Sequence, residues 1–92
     1  MIQTDKIPAL YSQEEAKDPL VYVSIRISSA FWLITEYDKP TKRAFGYAEL
    51  FQGGGELGYI YLPEIEEALN LYGGEVIQYE TPIPLSQAKQ GG

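Results

Sequence analysis

Hydrophobic and polar positions alternate from Leu20 onward, and the alternation changes period once. Over Leu20–Ile27, Val21, Val23, Ile25 and Ile27 fall on one side and Tyr22, Ser24 and Arg26 on the other. This is the period of a β-strand with one buried face. Ser28-Ser29 interrupts it. Phe31–Tyr37 is dense in aromatic and β-branched residues and predicts a second strand. The polar stretch Asp38–Lys42 contains Pro40 and predicts a hairpin loop. Arg43–Phe51 alternates again, with Phe45, Tyr47 and Phe51 on one face, and the turn Gln52–Gly55 leads into a fourth strand, Leu57–Leu62.

At Pro63 the period becomes helical. Pro suits the first turn of a helix. Glu64, Glu66 and Glu67 follow, where the helix dipole favours negative charge. Ile65, Ala68, Leu69 and Tyr72 recur at the spacing of one buried stripe, and Gly73-Gly74 ends the run. The expected contacts of this helix are Ile65, Leu69 and Tyr72. Glu75–Thr81 reads as a last strand.

Upstream, Ser12 and Glu15 have the spacing of a capping box, predicting a helical turn over Gln13–Lys17 that Asp18-Pro19 stops. The first ten residues read as extended. Short-linked consecutive strands imply an antiparallel meander. With one amphipathic helix on one face, the expected class is α+β: a single small domain, residues 1–85, with a four- to five-stranded antiparallel sheet and one main helix. Residues 86–92 read as a disordered tail.

Composition narrows the chemistry. In 92 residues there is no Cys and no His. Disulfides, thiolates, imidazole bases and the commonest zinc ligands are therefore absent. No Ser/His/Asp or Cys/His machinery can be built from one chain, and no enzymatic activity or cofactor is expected. Thirteen acidic residues against seven basic give a net charge of −6. That disfavours direct nucleic-acid binding, which relies on Lys and Arg at phosphates, and favours a protein partner with a basic surface. No apolar run is long enough to span a membrane and no signal peptide is seen, so the expected location is cytoplasmic.

Three possible sites have simpler readings. Glu36 and Asp38 could hold Mg²⁺, but no third ligand has a diagnostic spacing, and a solvated strand end is the expected state. Gly53–Gly55 could cradle a phosphate, but a strand follows where such loops run into a helix. Gly91-Gly92 is also the ending of ubiquitin-like carriers, whose main helix follows the first hairpin and not a fourth strand; a tail remnant fits better.

Tyrosine is the abundant candidate, with eight in the chain. Tyr59 and Tyr61 share one strand face, opposite Ile60 and Leu62. Tyrosines supply large contact area with a polar tip. The expected protein-binding face is Tyr59 and Tyr61, flanked by Glu56 and Tyr47, and covered by an outside partner or by a second copy in a homodimer. The alternative is that these rings pack inside.

The runs Leu10-Tyr11-Ser12-Gln13-Glu14, Thr35-Glu36 and Glu56-Leu57-Gly58-Tyr59, within a stretch from Pro8 to Leu62, resemble the family of unknown function DUF2958. The resemblance implies a small bacterial protein of the kind carried by plasmids and phages. It implies an accessory role for a mobile genetic element. The alternative is an inhibitor of host defence, an anti-CRISPR or anti-restriction protein acting by protein binding or acidic DNA mimicry.

Overall fold

The computed structural model of the chain describes residues 2–51 and 53–91. Five strands, β1 (Leu20–Ile27), β2 (Ala30–Asp38), β3 (Arg43–Glu49), β4 (Glu56–Tyr61) and β5 (Glu75–Pro84), form one antiparallel sheet in the order β4-β3-β2-β1-β5. The first four make the expected meander. Helix α1 (Leu62–Tyr72) follows β4 at one edge and returns the chain to β5 at the other. The α+β class is as the pattern predicts.

The sheet is covered on both faces. On the first, Val23, Ile25, Ile27, Ile34, Ala44 and Ile60 pack against Leu62 and Ile65 of α1 and against Ile2 and Ile7 from the N-terminal segment. On the second, Phe31, Leu33 and Val21 pack against Leu85 and Ala88. Burial of one such apolar side chain is worth about 1.5–3 kcal/mol, so the residues that bring these cores together also hold the sheet's two coverings in place.

Several expectations are corrected. Residues 86–91 of the expected disordered tail are instead part of helix α2 (Leu85–Gly91). Leu85 and Ala88 lie one turn apart and are both buried. Asp18 secures the start of α2, accepting from the Ser86 backbone N–H at 2.9 Å and from its hydroxyl at 2.6 Å. Those bonds hold the Asp18 carboxyl below its ordinary pKa. Gly92, the end of the Gly-Gly pair, and Gln52 of the expected turn lie outside the described residues.

Val21 also leaves its expected face. The register of β1 against β5 shifts between Val21 and Val23. Val21 joins the second core, while Tyr22 packs against the first. β3 ends at Glu49, leaving Phe51 exposed. On α1 the buried positions are Leu62 and Ile65, with Ala68 and Leu69 partly buried; Tyr72 is 77% exposed and is not a contact of the helix with the sheet. Leu69→Ala is therefore expected to cost about 1–2 kcal/mol, below the range for a fully buried leucine. Tyr72→Ala should stay within about 0.5 kcal/mol of the parent. Urea midpoints of the two variants measure the contrast; an equal loss in both would contradict this placement of the helix.

Candidate functional site

β4 is an edge strand, paired with β3. Its alternation buries Ile60, with Leu62 just beyond it, and leaves Tyr59 and Tyr61 52% and 50% exposed. The two rings are on the second face, opposite Phe45 and Arg43 of β3 in the register. Tyr59 and Phe45 meet edge to face at 5.3 Å, and the Arg43 guanidinium stands 5.5 Å above the Tyr59 ring. Glu56 opens β4, exposed, across from Ala48. Tyr47 is half-buried against the second core. Its hydroxyl donates to Glu49 at 3.1 Å, and the Lys89 ammonium of α2 lies 4.4 Å above its ring. Burial, with the bond to Glu49, raises the Tyr47 pKa. Tyr47 is thus more a wall of the core than a free flank of the tyrosine pair.

The other wall comes from the N-terminal loop. No helix forms over Gln13–Lys17. Residues 9–16 instead make a succession of tight turns, with the amides of Ser12, Glu14 and Ala16 donating to carbonyls three residues back. Ser12 does not cap: its hydroxyl donates to the Ala9 carbonyl at 2.6 Å. The organising group is Glu36. Far from being a solvated strand end, it is 4% exposed. Its Oε1 accepts from the Tyr11 N–H and its Oε2 from the Gln13 N–H, each at 2.8 Å.

A β-bulge puts Glu36 there. Ile34 pairs with Gly46 but Glu36 pairs with Phe45, so Thr35 is an extra residue in β2. The inserted residue moves Glu36 to the second face, and the Thr35 hydroxyl donates to the Phe45 carbonyl at 3.0 Å. Asp38 is turned to the loop, accepting from Thr41. The two carboxylates therefore do not form a pair. Gln13 completes the tie. Its amide nitrogen donates to the carbonyls of Leu20 and Thr35, and its amide oxygen accepts from the Leu20 N–H.

Held this way, Tyr11 adopts φ +71°, uncommon for a residue other than glycine. Its hydroxyl meets that of Tyr59 at 2.9 Å. The bond with Tyr11, followed by burial, raises the Tyr59 pKa; Arg43 pulls the other way. Neutral Tyr59 is thus favoured in the folded chain. The contribution of this contact is fully present below the ordinary tyrosine pKa and is lost as pH rises through the raised one. In a spectrophotometric titration Tyr59→Phe should remove a late-titrating tyrosine; loss of one that titrates in the ordinary range would show that the bond to Tyr11 does not hold Tyr59 neutral.

Between the loop, the β2–β4 surface and α2 lies a groove of about 510 Å³. Phe45, Leu57, Tyr59 and Leu85 give it apolar walls, and Lys17 and Lys89 stand along it. Of the expected face, Tyr59 lines this groove; Tyr61, Glu56 and Tyr47 do not. Tyr11, Leu57, Lys17 and Lys89 were not expected there. The Tyr11–Glu14 run was the available signal, though its local reading as a cap concealed it. The net charge favours a basic partner, but the cations Arg43, Lys17 and Lys89 beside the tyrosines have the opposite sign.

No helix among the described residues is long and apolar enough to cross a membrane. No curated protein and no solved structure matches the chain. A family model, described as "Protein of unknown function (DUF2958)", matches residues 3–87, which takes in the loop, the whole sheet, α1 and the start of α2. The chain belongs to the DUF2958 family.

Proposed function

We propose that the chain is a non-enzymatic protein-binding module, an accessory protein of a mobile genetic element, and that it binds through the groove and the adjoining β4 edge. The observation that carries the reading is the continuity of exposed apolar and aromatic surface on one side of the sheet. Leu57, Tyr59 and Tyr61 of β4 and Tyr11 of the loop are each at least half exposed and stand beside a preformed groove. Rigid tyrosines give contact area with little entropy lost on binding. The one carboxylate buried under the groove, Glu36, has both oxygens engaged by backbone N–H groups. Those bonds support a role in holding the loop. Acidic mimicry of DNA has less support. The exposed carboxylates are divided among the N-terminal segment and loop (Asp5, Glu14, Glu15, Asp18), β4 (Glu56), α1 (Glu64, Glu67) and β5 (Glu75, Glu80).

Tyr59→Ala with Tyr61→Ala is the test. Neither side chain is in the buried core, so far-ultraviolet circular dichroism and melting should remain close to the parent. Affinity for a partner captured from a bacterial host lysate should fall by the equivalent of about 2 kcal/mol or more. If a second copy is the occupant, sedimentation will show the dimer dissociating. Loss of cooperative melting along with binding would mean that the rings are packing residues, and the reading would be dropped.

A further inference from the structure

We infer that the groove accepts an acidic segment of a protein partner, an extended stretch in which Asp or Glu alternates with apolar side chains. This inference rests on the protein-binding reading and adds to it the chemistry of what is bound. The argument is the local reversal of charge. The chain has a net charge of −6, yet three of its seven cations are beside the groove: Lys17 from the loop, Lys89 from α2 and Arg43 over Tyr59. They come from three separate elements, so no single helix or loop composition accounts for their meeting. Against them, the lining contains two carboxylates. Glu36 is buried and saturated by the Tyr11 and Gln13 amides, which leaves Glu14 as the exposed one. Asp18 is near Lys89 but is engaged by Ser86.

The walls decide between anionic ligands. A single-stranded nucleic acid is also anionic, and such ligands stack their bases on open aromatic faces. Here the Tyr59 ring is already engaged, with Arg43 over it and Phe45 at its edge, and Lys89 covers the neighbouring Tyr47, which leaves Tyr11 as the open ring at the groove. What the groove offers instead is two ammonium groups, Lys17 and Lys89, around an apolar floor of Phe45, Leu57 and Leu85, with the Arg43 guanidinium adjacent on Tyr59. That combination suits carboxylates flanking one or two apolar side chains. The net negative charge of the whole chain also opposes a polyphosphate more than a short peptide with a few carboxylates.

The test is selection of a phage-displayed library of random linear peptides on the intact chain, followed by fluorescence anisotropy of the best peptide at low and high salt. Enriched peptides should be rich in Asp and Glu interspersed with apolar residues. Their binding should weaken as salt rises, and Lys17→Glu should lower affinity about tenfold or more. Lys89→Gln, which keeps the length of the stem over Tyr47, should weaken binding in the same direction while melting stays near the parent. Enrichment of basic or uncharged peptides, or indifference to Lys17→Glu, overturns the inference. So does tighter binding of a labelled oligothymidylate than of the best peptide. If capture of a host partner is lost in the Tyr59→Ala, Tyr61→Ala variant but untouched by Lys17→Glu, the face binds protein by other means; the proposed function then stands and the acidic segment does not.

Discussion

Gly46→Ala is expected to cost at least about 3 kcal/mol, and Gly58→Ala, its cross-strand partner, is expected to cost nothing. The two glycines face each other on β3 and β4, so composition and propensity treat them alike. Their surroundings differ. A Cβ on Gly46 would stand 2.0 Å from the Leu33 carbonyl oxygen and 3.1 Å from the Ile34 Cα. Both are backbone atoms of β2, and neither can swing aside as a side-chain tip would. The contact is just ahead of the bulge at Thr35, where β2 presses toward β3. Glycine inside a strand often marks such a close approach. Relief requires β2 and β3 to separate in the middle of the sheet, breaking ladder bonds and disturbing Leu33 and Ile34, both fully buried. Against a stability of about 5–15 kcal/mol for a domain, that loss is large. A Cβ on Gly58 meets nothing within 4 Å. Alanine there should be neutral or stabilising by up to about 1 kcal/mol, because it narrows the unfolded ensemble. Paired urea titrations measure both, and equal midpoints for the two variants would refute the close approach.

This pair shows where a reading of the chain reaches its limit. The four meander strands and α1 were legible because their apolar and polar residues recur at the strand or helix period in the sequence, even where, as in β4, Ile60 is the single buried residue of the strand. Tyr59 and Tyr61 were legible for the same reason, since the burial of Ile60 on β4 requires its neighbours to face out. The bulge was not. It depends on one residue inserted opposite a glycine, and the alternation through Thr35 and Glu36 looks unbroken until the partner strand is known. Strict alternation puts Glu36 on the face of Ile34, whereas the bulge turns it to the second face, under the N-terminal loop. Helix α2 was hidden because Leu85 and Ala88 are two buried residues one turn apart, too few to establish a period. The groove was hidden by distance. Tyr11 meets Tyr59 across 48 positions, and Lys89 reaches Tyr47 from the far end of the chain. No local pattern records such meetings. The local motif at Ser12 and Glu15 pointed instead to a helix, and long-range bonds from Glu36 and Gln13 outweighed it.

Glu36→Ala should lower stability by about 3 kcal/mol and take the groove with it. Its carboxylate is bonded to two backbone amides, and hydrogen bonds to charged groups contribute about 1.5–3 kcal/mol each when net effects are counted. The sum is not fully additive, because losing the first bond frees the loop to rehydrate the second amide. The decisive variant is Glu36→Gln. It preserves shape and one acceptor oxygen, but turns its amide NH₂ toward an N–H that needs an acceptor. Either Tyr11 or Gln13 then loses its partner, so the expected cost is about 1.5–3 kcal/mol. If packing alone held Glu36 in place, Gln would be tolerated. The consequence at the groove is specific. Tyr11 has a left-handed backbone with its N–H held by Glu36. Once its N–H is released, the loop can relax and withdraw the Tyr11 hydroxyl from Tyr59. Amide hydrogen exchange should therefore accelerate at Tyr11 and Gln13 in Glu36→Gln, with the β1 and β2 amides beyond the bulge protected as before, and peptide affinity should fall although no contacting side chain has changed. Normal protection at both amides together with a parental urea midpoint would mean that the loop is held by something other than this carboxylate.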